Sequence, residues 1–218
     1  MSRSHNMIRP RIISIEGNIG AGKSTLVEQL KKRYADNTDI VFLQEPVDSW
    51  QAITQSGKTM LELFYENQQK YSFAFQVMAY MSRLRMIKDE VEKAGSSENV
   101  KTIVMERSLE ADREIFAKML YEDGMIEECM YKIYQLMSDD GLLDYSSDGV
   151  IWLNTPPDEC HRRIAVRSRE GEALIGLEYL TKCDDYHRDW LLGKYSNGFI
   201  YIVDGKKEIE WETLHNYF

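Results

Sequence analysis

At 218 residues, with 43% hydrophobic and 29% charged residues, the chain suits one soluble globular domain large enough to bury a proper core. A formal net charge of −9 disfavours wholesale association with nucleic acid or an anionic membrane surface, so a polyanionic ligand needs positive charge concentrated locally. No apolar run has membrane-spanning length, no secretory signal pattern is present, and three scattered cysteines (Cys129, Cys160, Cys183) suit a reducing compartment better than a disulfide framework.

Residues 1–10 read as a flexible tail, too close to the first strand to hold an amphipathic targeting helix. Arg11–Glu16 reads as a buried strand, followed by a glycine-rich turn and a helix from Lys23 to Tyr34. Asp39–Gln44 is a second short apolar run, and Thr59 to Lys93 is largely helical with a break over 66–70. Lys101–Met105 is a third strand, with helices from Ser108 to Leu120 and over Ile126–Met137. A fourth strand, Asp148–Leu153, precedes helices over Pro157–Arg169 and Gly176–Leu192, and Phe199–Val203 is the fifth. Without repeats or linkers of domain-boundary length, residues 1–218 form a single domain of the α/β class: a five-stranded parallel sheet with helices on both faces. Ligands of such sheets bind beyond the carboxyl ends of the strands, which here are Gly17–Ser24, Glu45, Glu106–Arg107, Asn154 and Asp204.

The strongest chemical signal is Gly17-Asn18-Ile19-Gly20-Ala21-Gly22-Lys23-Ser24, followed by Thr25, a GxxxxGK[ST] pattern between strand and helix. Glycines with φ > 0 let backbone N–H groups close around phosphate oxygens, the helix N-terminus adds its positive end, Lys23 reaches the β- and γ-phosphates, and Ser24 suits Mg²⁺. This predicts a nucleoside triphosphate site without yet specifying a reaction. Glu45, before Pro46 and five residues from Trp50, is either a carboxylate able to take a proton from an attacking hydroxyl or a solvated acid ahead of a turn. Glu106 and Arg107, closing an apolar strand, suit Mg²⁺ and developing phosphoryl charge respectively, or else pair with each other.

Gln76, Ala79 and Arg83 recur at i, i+3, i+7 and read either as one pocket wall or, with Asp112, as a surface hydrogen-bond set, while Phe73, Met78 and Met81 on other faces read as core. Asp112 and Phe116 share a face and offer Arg83 a carboxylate partner and the pocket an aromatic slab. Arg162, Arg163, Arg167 and Arg169, next to Glu170-Gly171-Glu172, suit either a lid that closes over phosphates or a solvated basic face. Thr181-Lys182-Cys183-Asp184 imitates a guanine-reading element, but it follows a helical stretch and no DxxG accompanies it, which argues against a GTPase switch.

Five ordered segments, IEGNIGAGKST (15–25), QEPVDSW (44–50), FYENQQKYSFAFQ (64–76) with SRLR (82–85), MERSLEADREIFA (105–117) and RIAVRSREGEALIGLEYL (163–180), together resemble the deoxynucleoside kinase family. The resemblance implies a P-loop kinase fold with an arginine-rich lid, ATP as phosphoryl donor, and Mg²⁺ at Ser24 and Glu106. It implies Glu45 as the base for the 5′-hydroxyl with Arg107 beside it, and Tyr65 with Glu172 on the sugar 3′-hydroxyl, Tyr65 crowding the 2′ position. Gln76 then meets the base edge, and Trp50, Phe75 and Phe116 line the base slot. Lys23, Arg163, Arg167 and Arg169 attend the phosphates. Members with a small residue, an Arg and an Asp at the positions of Ala79, Arg83 and Asp112 accept deoxycytidine or purine deoxynucleosides, so thymidine is expected to be poor. Gly171 replaces a usual acid and Gly176 a usual proline, and the region near Asp204 matches no adenine-binding loop. A homodimer and a cytoplasmic location are the accompanying expectations. The rivals are a nucleoside monophosphate kinase of the thymidylate kinase type and a P-loop binding module without acceptor chemistry.

Overall fold

A computed structural model describes residues 9–96, 100–169 and 171–218, with only the backbone of Ser96. Most of the expected tail therefore lies outside the described residues. Arg9 and Pro10 are already anchored, the first by a 2.9 Å ion pair to Asp148 and the second by burial.

Strand β1 (Arg11–Glu16) leads through the glycine-rich turn into helix α1 (Lys23–Arg33) and then β2 (Ile40–Leu43). A short helix α2 (Val47–Gln51), a small hairpin pairing Thr54–Gln55 with Lys58–Thr59, and helix α3 (Met60–Glu66) precede the long helix α4 (Gln68–Ser96). Strand β3 (Thr102–Glu106) is followed by α5 over 109–122, whose middle, Asp112–Ala117, is π-wound. Then come α6 (Glu128–Tyr145), β4 (Gly149–Asn154), α7 (Pro157–Arg167), a 3₁₀ turn at Glu172–Leu174, α8 (Leu177–Gly193), β5 (Phe199–Asp204) and α9 (Trp211–His215).

All five main strands are parallel, in the order β2-β3-β1-β4-β5, as the alternation of apolar runs and helices predicts. β1 lies at the centre with Ile12, Ile13 and Ile15 fully buried, because helices cover both faces of such a sheet. The winding reverses between neighbours β1 and β3, which places the ends of those two strands at the ligand-binding crevice. No helix among the described residues is long and apolar enough to cross a membrane.

Two helix ends and one burial differ from expectation. α6 runs on to Tyr145, and α7 stops at Arg167 because Ser168 turns left-handed (φ 49°). Met81 is 46% exposed rather than in the core, so the face of α4 that carries it is open to solvent.

Candidate active site

The phosphate loop is shaped by close backbone approach. Gly17 and Gly20 have φ of 145° and 79°, and a Cβ on them would lie 2.6 Å from the Leu153 carbonyl and 2.7 Å from that of Cys160. Gly17 and Asn18 do not line the phosphate-side cleft; they frame it, Asn18 donating to the Leu180 carbonyl at 2.7 Å and accepting the Ile19 N–H at 2.8 Å. Lys23 is buried and folds onto the Gly17 and Asn18 carbonyls at 3.1 and 2.9 Å. Burial, then the Arg107 cation, lowers its pKa to about 8. Ser24 Oγ donates to Glu106 Oε1 at 2.7 Å, so the turn after β1 and the end of β3 meet.

Arg107, the residue after β3, adopts φ 64°, a region uncommon outside glycine. This turn sends its guanidinium back across the crevice, where Nε donates to Glu45 Oε1 at 2.8 Å and the guanidinium carbon lies 4.2 Å over the Phe116 ring. Glu106 therefore pairs with Ser24 and Arg107 with Glu45, and the alternative of a mutual strand-capping pair is overturned.

Arg83 sits at the floor, 1% exposed. Nε and Nη2 reach the two Asp112 oxygens at 2.9 and 3.3 Å, Nη1 reaches the Glu106 carbonyl at 2.9 Å, and Nη2 also reaches Glu45 at 3.1 Å. Burial alone would raise the Glu45 pKa, but Arg107, Arg83 and Lys23 overcome it and hold the carboxyl down to about 2. Glu45 is ionised at neutral pH.

A cleft opens above this floor, lined by every one of the substrate residues expected from the resemblance: Glu45, Trp50, Tyr65, Phe75, Gln76, Ala79, Arg83, Arg107, Asp112, Phe116 and Glu172. Trp50 is fixed by its indole N–H donating to Ser82 at 2.8 Å, and Phe75 is stacked on Phe64 at 4.4 Å. α3 is held in place for this packing by a capping box in which Thr59 and Glu62 exchange hydrogen bonds at 3.2 and 2.7 Å. Gln76 is buried, and its amide makes no hydrogen bond within the protein among the described residues.

A second, larger cleft is lined by Gly20, Gly22, Lys23, Ser24, Thr25, Glu106, Arg162, Arg163 and Arg167. The two clefts share Ile19, Glu45, Arg107, Arg169 and Glu172. Arg163 braces the glycine turn, donating to the Ala21 carbonyl at 2.8 Å and the Gly205 carbonyl at 2.7 Å. Arg167 and Arg169 both turn onto Glu172, from Arg167 Nε at 3.1 Å and Arg169 Nη1 at 3.3 Å, and Glu172 is nearly buried. Glu170 lies outside the described residues.

Asn154 and Asp204, also at strand ends, line neither cleft; Asn154 accepts from Arg188 at 3.2 Å and Asp204 from the Lys206 N–H at 3.0 Å. Missed from the sequence were Val47, Leu61, Phe64 and Tyr179, which line the smaller cleft, and the buried Glu16 beneath it. An acid ending an apolar strand was the available signal for Glu16, since the same signal marked Glu106.

A triphosphate loop sharing its wall with a second cleft lined by aromatic and charged side chains, on a parallel sheet that reverses beside it, defines a P-loop phosphotransferase. Comparison with known proteins specifies which. The deoxynucleoside kinase family model matches residues 13–216. Deoxycytidine kinase 1 of Xenopus laevis is 36% identical over 208 residues, covering 87% of this chain and 77% of the relative. Deoxycytidine kinase of Homo sapiens is 36% identical over 208 residues (88% and 79%), and mitochondrial deoxyguanosine kinase of Xenopus laevis is 31% identical over 206 (88% and 77%). The chain belongs to the deoxynucleoside kinase family and is an ATP-dependent kinase.

Proposed function

We propose that the protein transfers the γ-phosphoryl group of ATP to the 5′-hydroxyl of a deoxynucleoside, favouring deoxycytidine and purine deoxynucleosides over thymidine, within a single domain. The observation that carries this reading is that the two clefts meet at Glu45 and Arg107. A hydroxyl seated at that junction stands beside an ionised carboxylate on one side and the phosphate loop on the other.

In this scheme Glu45 accepts the hydroxyl proton as the oxygen attacks phosphorus, and Arg107, Lys23, Arg167 and Arg169 face the charge that spreads over the transferring oxygens. Tyr65 and Glu172 hold the sugar, Gln76 the base edge, and Trp50, Phe75 and Phe116 its faces. Ser24 and Glu106 supply two adjacent hard oxygens, a donor set that fits Mg²⁺ sharing its remaining positions with phosphate and water. Bound there, the ion would neutralise phosphate charge.

The Arg83–Asp112 pair supports the base preference, because it presents charged groups where a thymine methyl needs apolar space. The thymidylate kinase reading requires free cations for an acceptor phosphate. Arg83, Arg107 and Arg169, the cations of the acceptor cleft, each already face a carboxylate.

Exposed Ile133, Leu136 and Leu143 on α6, with Met81 on α4, support a homodimer through these helices. Free cysteines support a reducing, cytoplasmic setting, and the net charge of −9 argues against nucleic-acid and membrane partners.

The test is a coupled assay of ADP release over deoxycytidine, deoxyadenosine, deoxyguanosine, thymidine and the matching monophosphates. Release that depends on deoxycytidine or a purine deoxynucleoside is expected. Dependence on a monophosphate, or acceptor-independent hydrolysis alone, would overturn the reading.

A further inference from the structure

Glu16, the acid that ends β1, is fully buried. Its Oε1 accepts the Ser108 N–H at 2.8 Å, and its Oε2 has no partner among the described residues. An interior carboxylate persists only where donors or cations compensate it. Burial pushes the Glu16 pKa up, and Arg107 is the strongest of the groups that oppose this, ahead of Ser108 and Lys23. Arg107 is also buried, and its Nη1 has no partner among the described residues. Burial works against its charge, and Glu45, then Glu16, counter it.

The backbone joins the same two strand ends. Arg107 N–H donates to the Ile15 carbonyl at 3.0 Å and Ser108 N–H to Glu16, so consecutive amides of the left-handed turn are held by consecutive residues of β1. Ser108 in turn caps α5 by accepting the Ala111 N–H at 3.0 Å. Glu45 cannot keep its full hold on Arg107 while accepting a substrate proton. Glu16, fixed in the core at the end of β1, takes no part in that exchange.

We propose that Glu16 is a positioning residue for phosphoryl transfer: from the end of β1 it fixes the Arg107–Ser108 turn and balances the Arg107 guanidinium while Glu45 is engaged with the acceptor hydroxyl. This rests on Glu45 being the base.

The test is a double-mutant cycle of Glu16→Gln and Arg107→Gln, with Glu45→Gln assayed in parallel. Glutamine keeps an acceptor for the Ser108 N–H and removes only the charge. Glu16→Gln is expected to lower kcat about tenfold or more while the nucleoside KM stays within about threefold. In the Arg107→Gln background the same change should alter kcat by less than about twofold, and Glu16→Asp should restore part of the loss. An unchanged kcat, or an undiminished loss in the Arg107→Gln background, would overturn the proposal. If Glu16→Gln does not fold, recovery of a folded double variant supports the pairing and an equally unfolded one overturns it. Retained kcat in Glu45→Gln would instead remove the base assignment, while the cycle still reads the coupling of Glu16 with Arg107.

Discussion

Arg83 grips Asp112 with two prongs, Nε–Oδ2 at 2.9 Å and Nη2–Oδ1 at 3.3 Å, and the two side chains are 1% and 3% exposed. Such a pair is costly to break and inexpensive to replace whole, because removing one partner strands a buried charge. Arg83 has a further duty, since the nitrogen nearest Glu45 also donates to it at 3.1 Å. The groups expected to select the base thus also hold the expected catalytic carboxylate.

Arg83→Met alone should therefore destabilise the fold by about 3–5 kcal/mol and lower kcat for every substrate. The double variant Arg83→Met with Asp112→Ala should recover much of that stability and raise thymidine kcat/KM relative to deoxycytidine. Thermal unfolding and substrate-competition kinetics check both halves. Unchanged thymidine kinetics in the double variant would sink the selectivity assignment.

Replacing Glu45 by Gln keeps the size of the side chain and its hydrogen bond to Arg107 while removing the proton acceptor. The expected loss in kcat is on the order of 10²–10⁴-fold, with a smaller change in nucleoside KM. Steady-state kinetics with deoxycytidine measures it, and a loss confined to KM would count against the role.

The pH response follows from the cations around Glu45. Its folded pKa, about 2, lies below the ordinary value of 4.5, so its contribution to stability is present above pH 4.5 and is lost as pH falls toward 2. Activity should then show no acid limb from Glu45 at pH 5 or above. Arg107→Met removes the foremost of the opposing cations, so the carboxyl pKa rises and an acid limb enters the measurable range of kcat/KM. A profile that does not move in that variant refutes the electrostatic account.

On α6, Leu136 and Leu143 are 74% and 82% exposed and lie two turns apart on one face. Leu136→Glu with Leu143→Glu should halve the mass seen by light scattering at constant kcat/KM. A parent protein that is already monomeric would dispose of the dimer.

The five strands were legible because each is a short apolar run, buried throughout β3 and past Arg11 in β1, and half-buried in β2. Part of the clefts was legible because Glu45, Glu106 and Arg107 fall at strand ends and Gln76, Ala79, Arg83, Asp112 and Phe116 at helical spacing on α4 and α5, while Trp50, Tyr65 and Glu172 were marked only by the resemblance. The π-wound stretch at Asp112–Ala117 was not legible, since one widened turn hardly disturbs the i, i+4 spacing of Asp112 and Phe116. α2 and α9, five residues each, are too short to show a period, and the Thr54–Thr59 hairpin lacks the alternation of a longer strand. Met81 misled because an apolar residue on a long helix looks alike whether its face meets the core or solvent. The partners of the lid arginines were invisible for another reason. Sequence places Arg167 and Arg169 near Glu172, but only the fold shows both turned onto a single carboxylate that borders both clefts.

If Glu172 holds the sugar as proposed, that shared carboxylate couples the two ligands. A triphosphate that draws Arg167 and Arg169 onto its own oxygens releases Glu172 to accept a sugar hydroxyl, and a nucleoside that engages Glu172 releases the arginines to the phosphates. Linkage requires the two effects to be equal: a nonhydrolysable triphosphate should tighten deoxycytidine binding by the same factor by which deoxycytidine tightens the triphosphate. Calorimetric titrations in both orders measure the factor, and Glu172→Gln should bring it close to one.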